Sequence, residues 1–101
     1  MDRNEKNKTN QFQYKNFYLS VGRLTKQKNF EFLVKCFSRL IKNDRKLLLL
    51  ILGEGERRKN LERQIKNYKL EKNVKLLGHK DNVYSYLKNC KFFILSSLWE
   101  D

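Results

Sequence analysis

At 101 residues the chain has room for one small domain, or for part of a larger one. Hydrophobic residues make up 40% and charged residues 34%, which allows a core beneath a very polar surface. No apolar run approaches the ~20 residues of a membrane-spanning helix. The single histidine, His79, excludes a metal site built from several histidines of this chain.

The amino-terminal residues MDRNEKNKTNQ are polar and lack the apolar centre of a secretory signal. Residues 1–13 are therefore expected to form a polar tail or an interdomain linker, with residues 14–101 as the folded part. The two cysteines, Cys36 and Cys90, fall within apolar patterns and are expected to be buried and reduced, as in a cytoplasmic protein.

The net charge of +12 could attract nucleic acid, anionic lipid or a phosphorylated ligand. The lysines are spread over every segment rather than gathered in one block, and the chain is rich in Lys and Asn, as coding from an AT-rich genome tends to be. We attribute most of the charge to that composition.

The first half of the chain predicts a strand, a helix and a second strand. Residues 14–22 end in Gly22 and predict the first strand, and residues 46–52 (KLLLLIL) predict the second. Between them Asn29 is expected to cap a helix, with Glu31 well placed in its first turn. The helix follows from apolar residues at helical spacing, namely Phe30, Leu33, Val34, Phe37, Leu40 and Ile41. The second strand lacks alternation, so both of its faces are expected to be covered.

The second half repeats the pattern. Leu61, Ile65 and Tyr68 predict a thinly apolar helix, and residues 73–77 and 91–95 predict two more strands. A short helix between these strands begins near Asn82, and its Tyr84 and Tyr86 are expected to pack against the fold.

The order strand, helix, strand, helix, strand, helix, strand predicts an α/β fold with a three-layer, Rossmann-like parallel sheet. Such folds bind ligands beyond the carboxyl ends of their strands. The polar clusters of this chain fall at those ends: Gly22-Arg23, Gly53-Glu54-Gly55, Gly78-His79 and Ser96 to Glu100. Loops of any α/β fold are polar and glycine-rich, so the coincidence alone leaves a purely structural reading open.

The stretch from Tyr18 to Asn29 has the features of a phosphate site. Its glycine, Gly22, permits a tight turn, the helix start offers free N–H groups, and Arg23 and Lys28 supply positive charge. Lys26, between the two cations, is expected to face solvent.

Four stretches make the chain resemble a known family: SVGRLTKQKNFEFLVKCF, LLLLILGEGERRKNLERQI, VKLLGHKDNVYSYLKNC and FFILSSLWE. Together they are similar to the carboxyl-terminal, donor-binding half of a GT-B fold, family 4 type retaining glycosyltransferase. The resemblance implies an incomplete GT-B half, without the amino-terminal acceptor domain.

The resemblance implies an enzyme that moves a sugar from a nucleotide-diphosphate sugar to an acceptor hydroxyl, in polysaccharide or lipopolysaccharide synthesis. The expected acceptor is a glycan or a lipid-linked glycan. UDP is the commonest nucleotide in the family and is the default expectation. No cofactor and no metal are expected, because protein cations take up the charge that builds on the leaving diphosphate.

The resemblance also implies roles for single residues. Arg23 and Lys28 match the diphosphate-binding cations, which are catalytic in the family. Gly22 precedes them, and Gly53 and Gly55 match a Gly-x-Gly expected to approach the ligand or the partner domain closely, unless they simply serve a turn that needs positive φ. The loop expected to line the nucleobase pocket consists of Gly78, His79 and Lys80.

Glu100 matches the first of the family's two paired glutamates, which contacts the donor sugar. The second, seven residues on, would fall beyond Asp101, and Asp101 itself stands where the family usually has glycine. The isolated chain is therefore expected to be inactive. Further weaker candidates are Glu54 and Arg58. Arg57, Arg58 and Lys59, at a helix start that does not favour cations, are expected to be a solvated face.

Two alternatives remain open from the residues alone. A basic nucleic-acid-binding module fits the charge and the 13% aromatics, although the aromatics fall mainly at predicted core positions and no strand with exposed Phe or Tyr is expected. Nucleic acid is thus not the expected partner. A basic surface held peripherally at the inner face of an anionic membrane is compatible with sugar transfer to a lipid-linked acceptor.

Overall fold

The computed structural model describes residues 12–97. Strands and helices alternate in the predicted order: β1 Tyr18–Val21, α1 Phe30–Leu40, β2 Leu49–Leu52, α2 Arg58–Asn67, β3 Val74–Gly78, α3 Val83–Asn89 and β4 Phe92–Phe93. The α/β fold expected from the sequence is confirmed.

The four strands form one parallel sheet in the order β3-β2-β1-β4. The chain moves outward from β1 to β3 and then returns to the other side of β1, which is the doubly wound arrangement of nucleotide-binding folds. Strand β2 is buried along its whole length, as its unbroken apolar run predicts.

All four strands are shorter than their apolar runs, or shifted relative to them. Strand β1 begins at Tyr18 rather than Tyr14, because Asn16 has a positive φ of 55° that an extended strand does not allow. Strand β2 begins at Leu49 because the chain still turns at Lys46, whose backbone N–H donates to the Asp44 side chain. Strand β4 pairs with β1 through two residues only.

The helices cover both faces of the sheet. Helices α1 and α2 pack on one face, where the core consists of Leu24, Phe30, Leu33, Val34, Phe37, Leu49, Ile51, Leu61, Ile65, Leu70 and Val74. The other face is covered by α3 and the segment before β1, with a core of Phe17, Leu19, Leu50, Leu52 and Tyr86. The fold therefore has the three layers that the alternation predicts.

Helix α1 begins as the periodicity predicts, but Asn29 does not act as expected. Asn29 occupies the N-cap position in a left-handed conformation (φ 57°), and its side chain makes no capping hydrogen bond. Asparagine tolerates this conformation better than most residues, so Asn29 serves the turn into the helix instead.

Several side chains are more exposed than the sequence suggests. Tyr86 packs on the core as predicted, whereas Tyr84 is 75% exposed. The expectation that no strand carries exposed aromatics is wrong, because Phe92 and Phe93 of the edge strand β4 are 57% and 45% exposed. The cysteines Cys36 and Cys90 are half-buried rather than buried, and both are free thiols.

The segment before β1 belongs to the packed structure. Phe12, which the predicted tail included, lies with its ring centroid 4.8 Å from that of Tyr86 and 5.8 Å from that of Phe17. Among residues 12–97 no helix combines the length and apolarity that crossing a membrane needs.

Candidate functional site

A cavity of about 320 Å³ opens at the carboxyl ends of the first three strands. Its walls come from the ends of β1 and β2, from the loop after β3 and from the start of α3. The lining residues are Val21, Gly22, Arg23, Leu52, Gly53, Glu54, His79, Lys80 and Val83. Five residues predicted for the site therefore meet in one place, namely Gly22, Arg23, Gly53, His79 and Lys80, and the weaker candidate Glu54 lies with them.

The strand ends approach each other through glycines. Gly53 has a φ of +138°, and a Cβ atom there would collide with the carbonyl oxygen of Gly22. A Cβ at Gly55 would lie 2.5 Å from the backbone carbonyl oxygen of Leu24. The backbone N–H of Leu24 donates to the backbone carbonyl of Glu54. Gly53 and Gly55 thus lie close to the loop after β1 of this same chain. Their close approach to a ligand or to a partner domain, which the resemblance implies, stays a prediction.

The two predicted phosphate-binding cations both lie next to Gly22. Arg23 is exposed and lines the cavity, and among residues 12–97 its guanidinium has no ion pair. The Lys28 side chain passes over Gly22, with its Cδ and Cε 3.7 Å from the position that a Gly22 Cβ would take. Lys28 does not line the cavity but adjoins it. Lys26 is exposed, as predicted.

Two serine hydroxyls fasten the segment after β4 beside Lys28. Ser20 Oγ, in the buried centre of β1, donates to the carbonyl of Ile94 at 2.7 Å. Ser96 Oγ donates to the carbonyl of Lys28 at 2.8 Å. The point between β1 and β4 at which the strand order reverses therefore lies next to the predicted phosphate site.

The arginines at the start of α2 are not a solvated face. Arg57 donates through Nε and Nη2 to Glu31, both at 2.7 Å, and ties α2 to the first turn of α1. Arg58 contacts Glu54 at 3.0 Å and Glu62 at 2.9 Å. The Glu31–Arg57 pair could not be predicted locally, because its partners are 26 positions apart. The two Arg58 pairs join residues four positions apart, a spacing that could have predicted them.

Arg58 also donates from Nη2 to the backbone carbonyl of Leu76, at 3.2 Å. The hydrogen bond to Glu62 chiefly raises the pKa of Arg58, burial opposes the rise, and Glu54 adds to it. Arg58 is therefore a fixed cation at the edge of the sheet.

The loop after β3 contributes a polar wall. His79 Nε2 lies 3.0 Å from Asp81 Oδ1, and both side chains are largely exposed. Gly78, at the end of β3, does not line the cavity; it has a φ of +76°, and a Cβ atom there would lie 2.8 Å from an oxygen of the Glu54 carboxylate. The predicted contact of Glu100 with a donor sugar lies outside the described residues. Val83 was not predicted for the site; the turn signal at Asn82 could have placed it near the loop.

A larger cavity of about 1110 Å³ lies at the other end of the sheet, where the chain enters β2 and β3. It is bordered by cations, namely Lys42, Arg45, Lys46, Lys69 and Lys72, and contains none of the predicted site residues. The smaller cavity is the candidate site, because parallel α/β folds bind ligands at the carboxyl ends of their strands. Among residues 12–97 no cluster of three or more His, Cys, Asp or Glu side chains could hold a metal ion.

A doubly wound sheet with glycine turns and cations at its carboxyl edge defines a class of α/β domains that bind phosphorylated ligands. Within that class, the chain belongs to the family Glycosyl transferases group 1, whose profile matches residues 1–101.

Two curated relatives are similar over most of the chain. An uncharacterised glycosyltransferase of Methanocaldococcus jannaschii is 38% identical over 96 residues, which are 95% of this chain and 24% of that protein. The N-acetylgalactosamine-N,N'-diacetylbacillosaminyl-diphospho-undecaprenol 4-alpha-N-acetylgalactosaminyltransferase of Campylobacter jejuni is 46% identical over 84 residues, or 83% of this chain and 22% of that enzyme. The chain thus spans about a quarter of the length of the curated relatives it matches.

Solved structures share the fold. A mutant of S. aureus TarM, in complex with fondaparinux, alpha-GlcNAc-glycerol and UDP, matches with a TM-score of 0.79 at 24% identity, over 87% of this chain and 18% of TarM. The pneumococcal O-GlcNAc transferase GtfA, in complex with UDP and GlcNAc, gives 0.75 at 26% identity, over 79% of this chain and 16% of that protein. The sheet and its helices therefore match part of the GT-B glycosyltransferase fold.

Proposed function

We propose that the chain is the donor-binding part of a retaining, family 4 type glycosyltransferase. The donor is a nucleotide-diphosphate sugar, by default a UDP-sugar, and the acceptor hydroxyl belongs to a glycan or a lipid-linked glycan of the cell surface. The observation that carries this proposal is the meeting of Gly22, Arg23, Gly53, His79 and Lys80 around one cavity in a chain of this family. Its volume of about 320 Å³ suits part of a donor rather than the whole.

The proposed chemistry assigns the cations to the leaving group. The bond between the sugar C1 and the diphosphate oxygen breaks, and the electron pair leaves with the diphosphate. The acceptor oxygen bonds to C1 on the same face, and its proton passes to an oxygen of the departing diphosphate. Arg23 at the cavity wall and Lys28 beside Gly22 offset the charge that develops on the diphosphate, and positioned charges of this kind are often the largest contribution to catalysis.

Two solved structures and one curated relative support the choice of donor and acceptor. TarM and GtfA were both solved with UDP, which supports UDP as the nucleotide. The Campylobacter jejuni relative is named for a diphospho-undecaprenol acceptor, which supports a lipid-linked glycan as the acceptor. A peripheral position at the inner face of the membrane is part of the proposal, compatible with such an acceptor.

The experiment is a calorimetric titration of the chain with UDP, GDP and ADP, repeated on the double variant Arg23→Ala/Lys28→Ala. Each charge-assisted contact with a phosphate is worth about 1.5–3 kcal/mol. We therefore expect the double variant to bind UDP roughly 100-fold more weakly or worse. The matched control is Lys26→Ala, which removes one exposed cation of the same segment and should bind as the unaltered chain does.

Equal UDP affinity in the double variant and the Lys26→Ala control would refute the assignment of the two cations. Binding of RNA with a steep salt dependence, without a response to any of the three nucleotides, would favour the basic nucleic-acid-binding module instead.

Sugar transfer itself should be absent from the isolated chain. The chain spans about a quarter of the length of its curated relatives. We assign the acceptor side of the proposed enzyme to the remaining part. An assay of radiolabelled UDP-sugar with a lipid-linked acceptor checks this expectation, and robust turnover by the 101 residues would contradict it.

A further inference from the structure

Strand β3 contains an irregularity next to the cavity. Ile51 of β2 pairs with Leu76, but the next residue, Leu52, pairs with Gly78, so Leu77 is an extra residue on β3. Such a bulge bends a strand and changes the direction in which the chain leaves it. The residues that follow, His79 and Lys80, line the cavity.

Arg58 donates directly to the strand before this bulge and approaches the residue after it only through the Glu54 carboxylate. Before the extra residue, its Nη2 donates to the carbonyl of Leu76 at 3.2 Å. After it, its Nη1 donates at 3.0 Å to the Glu54 carboxylate, and an oxygen of that carboxylate lies 2.8 Å from the position that a Gly78 Cβ would take.

The third nitrogen of Arg58 anchors the side chain to its own helix. Its Nε donates to Glu62, one turn further along α2, at 2.9 Å. The side chain is 33% exposed and does not line the cavity. Three nitrogens of one planar guanidinium thus join α2, the loop after β2 and the bulged strand, an arrangement that a lysine cannot reproduce.

We propose that Arg58 is a positioning residue that sets the direction of the Gly78–Lys80 loop through Glu54 and the Leu76 carbonyl. The loop then presents His79 and Lys80 to the cavity. The consequence for nucleotide binding rests on the proposed function, whereas the effect on the loop does not.

The test compares amide spectra, by two-dimensional ¹H–¹⁵N NMR without ligand, of the unaltered chain and of Arg58→Met. We expect the amide signals of Gly53, Gly78, His79 and Lys80 to shift, while those of α1 keep their positions in the spectrum. The control Arg63→Met removes one positive charge from an exposed position of the same helix and should leave the loop amides unmoved. Unmoved loop amides in Arg58→Met would overturn the proposal.

A second control separates the loop from the helix. Glu62→Gln weakens the Arg58 contact within α2 but not the contacts that reach β3 and the cavity, so the loop amides should stay in place. A displacement equal to that of Arg58→Met would show that Arg58 acts by stabilising α2, and would overturn the proposal.

Two more variants keep the test decisive if Arg58→Met does not fold. In Arg58→Lys, the amide signals of the loop should still differ from those of the unaltered chain. Loop signals identical to those of the unaltered chain would contradict the need for three nitrogens. Glu54→Gln leaves the Leu76 contact intact and should still displace Gly78. An unmoved Gly78 amide in Glu54→Gln would overturn the route through the carboxylate.

The UDP titration gives the functional readout. We expect Arg58→Met to bind UDP roughly tenfold more weakly than Arg63→Met, as for residues coupled through direct contacts. If the unaltered chain binds no nucleotide, the proposed function fails, and the spectra without ligand still decide whether Arg58 positions the loop. If UDP binds equally to both variants although the loop has moved, the link from the loop to binding is refuted.

Discussion

The substitution Gly53→Ala tests how closely the ends of β1 and β2 must approach to form the cavity. A Cβ atom at Gly53 would overlap the Gly22 carbonyl oxygen and lie 2.9 Å from the carbonyl carbon, and both of these atoms are backbone. The backbone of Gly53, at φ +138°, is moreover one that residues with side chains rarely adopt.

The expected cost combines both effects. The backbone conformation alone costs a residue with a side chain about 1–3 kcal/mol. The forced separation of the strand ends adds on the order of 1–3 kcal/mol, as overpacking does elsewhere. A total of about 3 kcal/mol is a large part of the roughly 5–15 kcal/mol that stabilises a domain of this size. The melting temperature should then fall by about 12 °C or more.

The matched control is Gly22→Ala, on the other side of the same contact. A Cβ there would meet only side-chain atoms at ordinary distances, Phe30 Cζ at 3.6 Å and Lys28 Cδ and Cε at 3.7 Å. Thermal unfolding followed by circular dichroism should show a large loss of stability for Gly53→Ala and a small change for Gly22→Ala. Equal melting temperatures would refute the argument from close approach.

Three further outcomes are expected. Tyr86→Ala should lower the free energy of unfolding by about 3 kcal/mol, because the ring is buried against aromatic neighbours, whereas Tyr84→Ala should change it by less than about 0.5 kcal/mol; urea unfolding distinguishes them. A double-mutant cycle with Arg57→Met and Glu31→Gln should give a coupling of about 1 kcal/mol that weakens in high salt, and additive losses would contradict the pairing. The raised pKa of Arg58 means that its stabilisation is complete below the ordinary arginine pKa and is lost only as the pH rises through the still higher folded value. Arg58 therefore keeps its proton between about pH 7 and about pH 9. The difference in free energy of unfolding between the unaltered chain and Arg58→Met should not shrink over this range through loss of that proton. Urea titrations at both pH values check this.

The order of elements and the parallel sheet were predictable because hydrophobic periodicity records which faces are buried. The unbroken apolar run of β2 indicated burial on both faces, and β2 is buried throughout. The meeting of Gly22, Gly53 and His79 followed from one rule, that the carboxyl ends of parallel strands share an edge.

Other features depend on contacts between distant parts of the chain and could not be predicted. The Glu31–Arg57 pair joins two helices, and nothing local distinguishes Arg57 from the other cations of a lysine-rich chain. The bulge at Leu77 leaves no pattern in an apolar run, because every residue around it is suited to a strand. The exposure of Phe92 was not predicted, because the sequence pattern of an aromatic residue is the same in an edge strand as in a central strand.

The strands differ in pairing and burial, and we expect them to differ in how fast their amides exchange with solvent. Strand β2 has a partner on each side and is buried along its length, so its amides should exchange with solvent only when the whole domain unfolds. Strand β4 pairs through two exposed residues and should open locally, and faster. Because Ser96 donates a hydrogen bond to the Lys28 carbonyl, we expect each such opening also to release the segment beside the proposed phosphate site. A ligand that orders Lys28 should therefore slow amide exchange at β4, a strand that does not line the cavity.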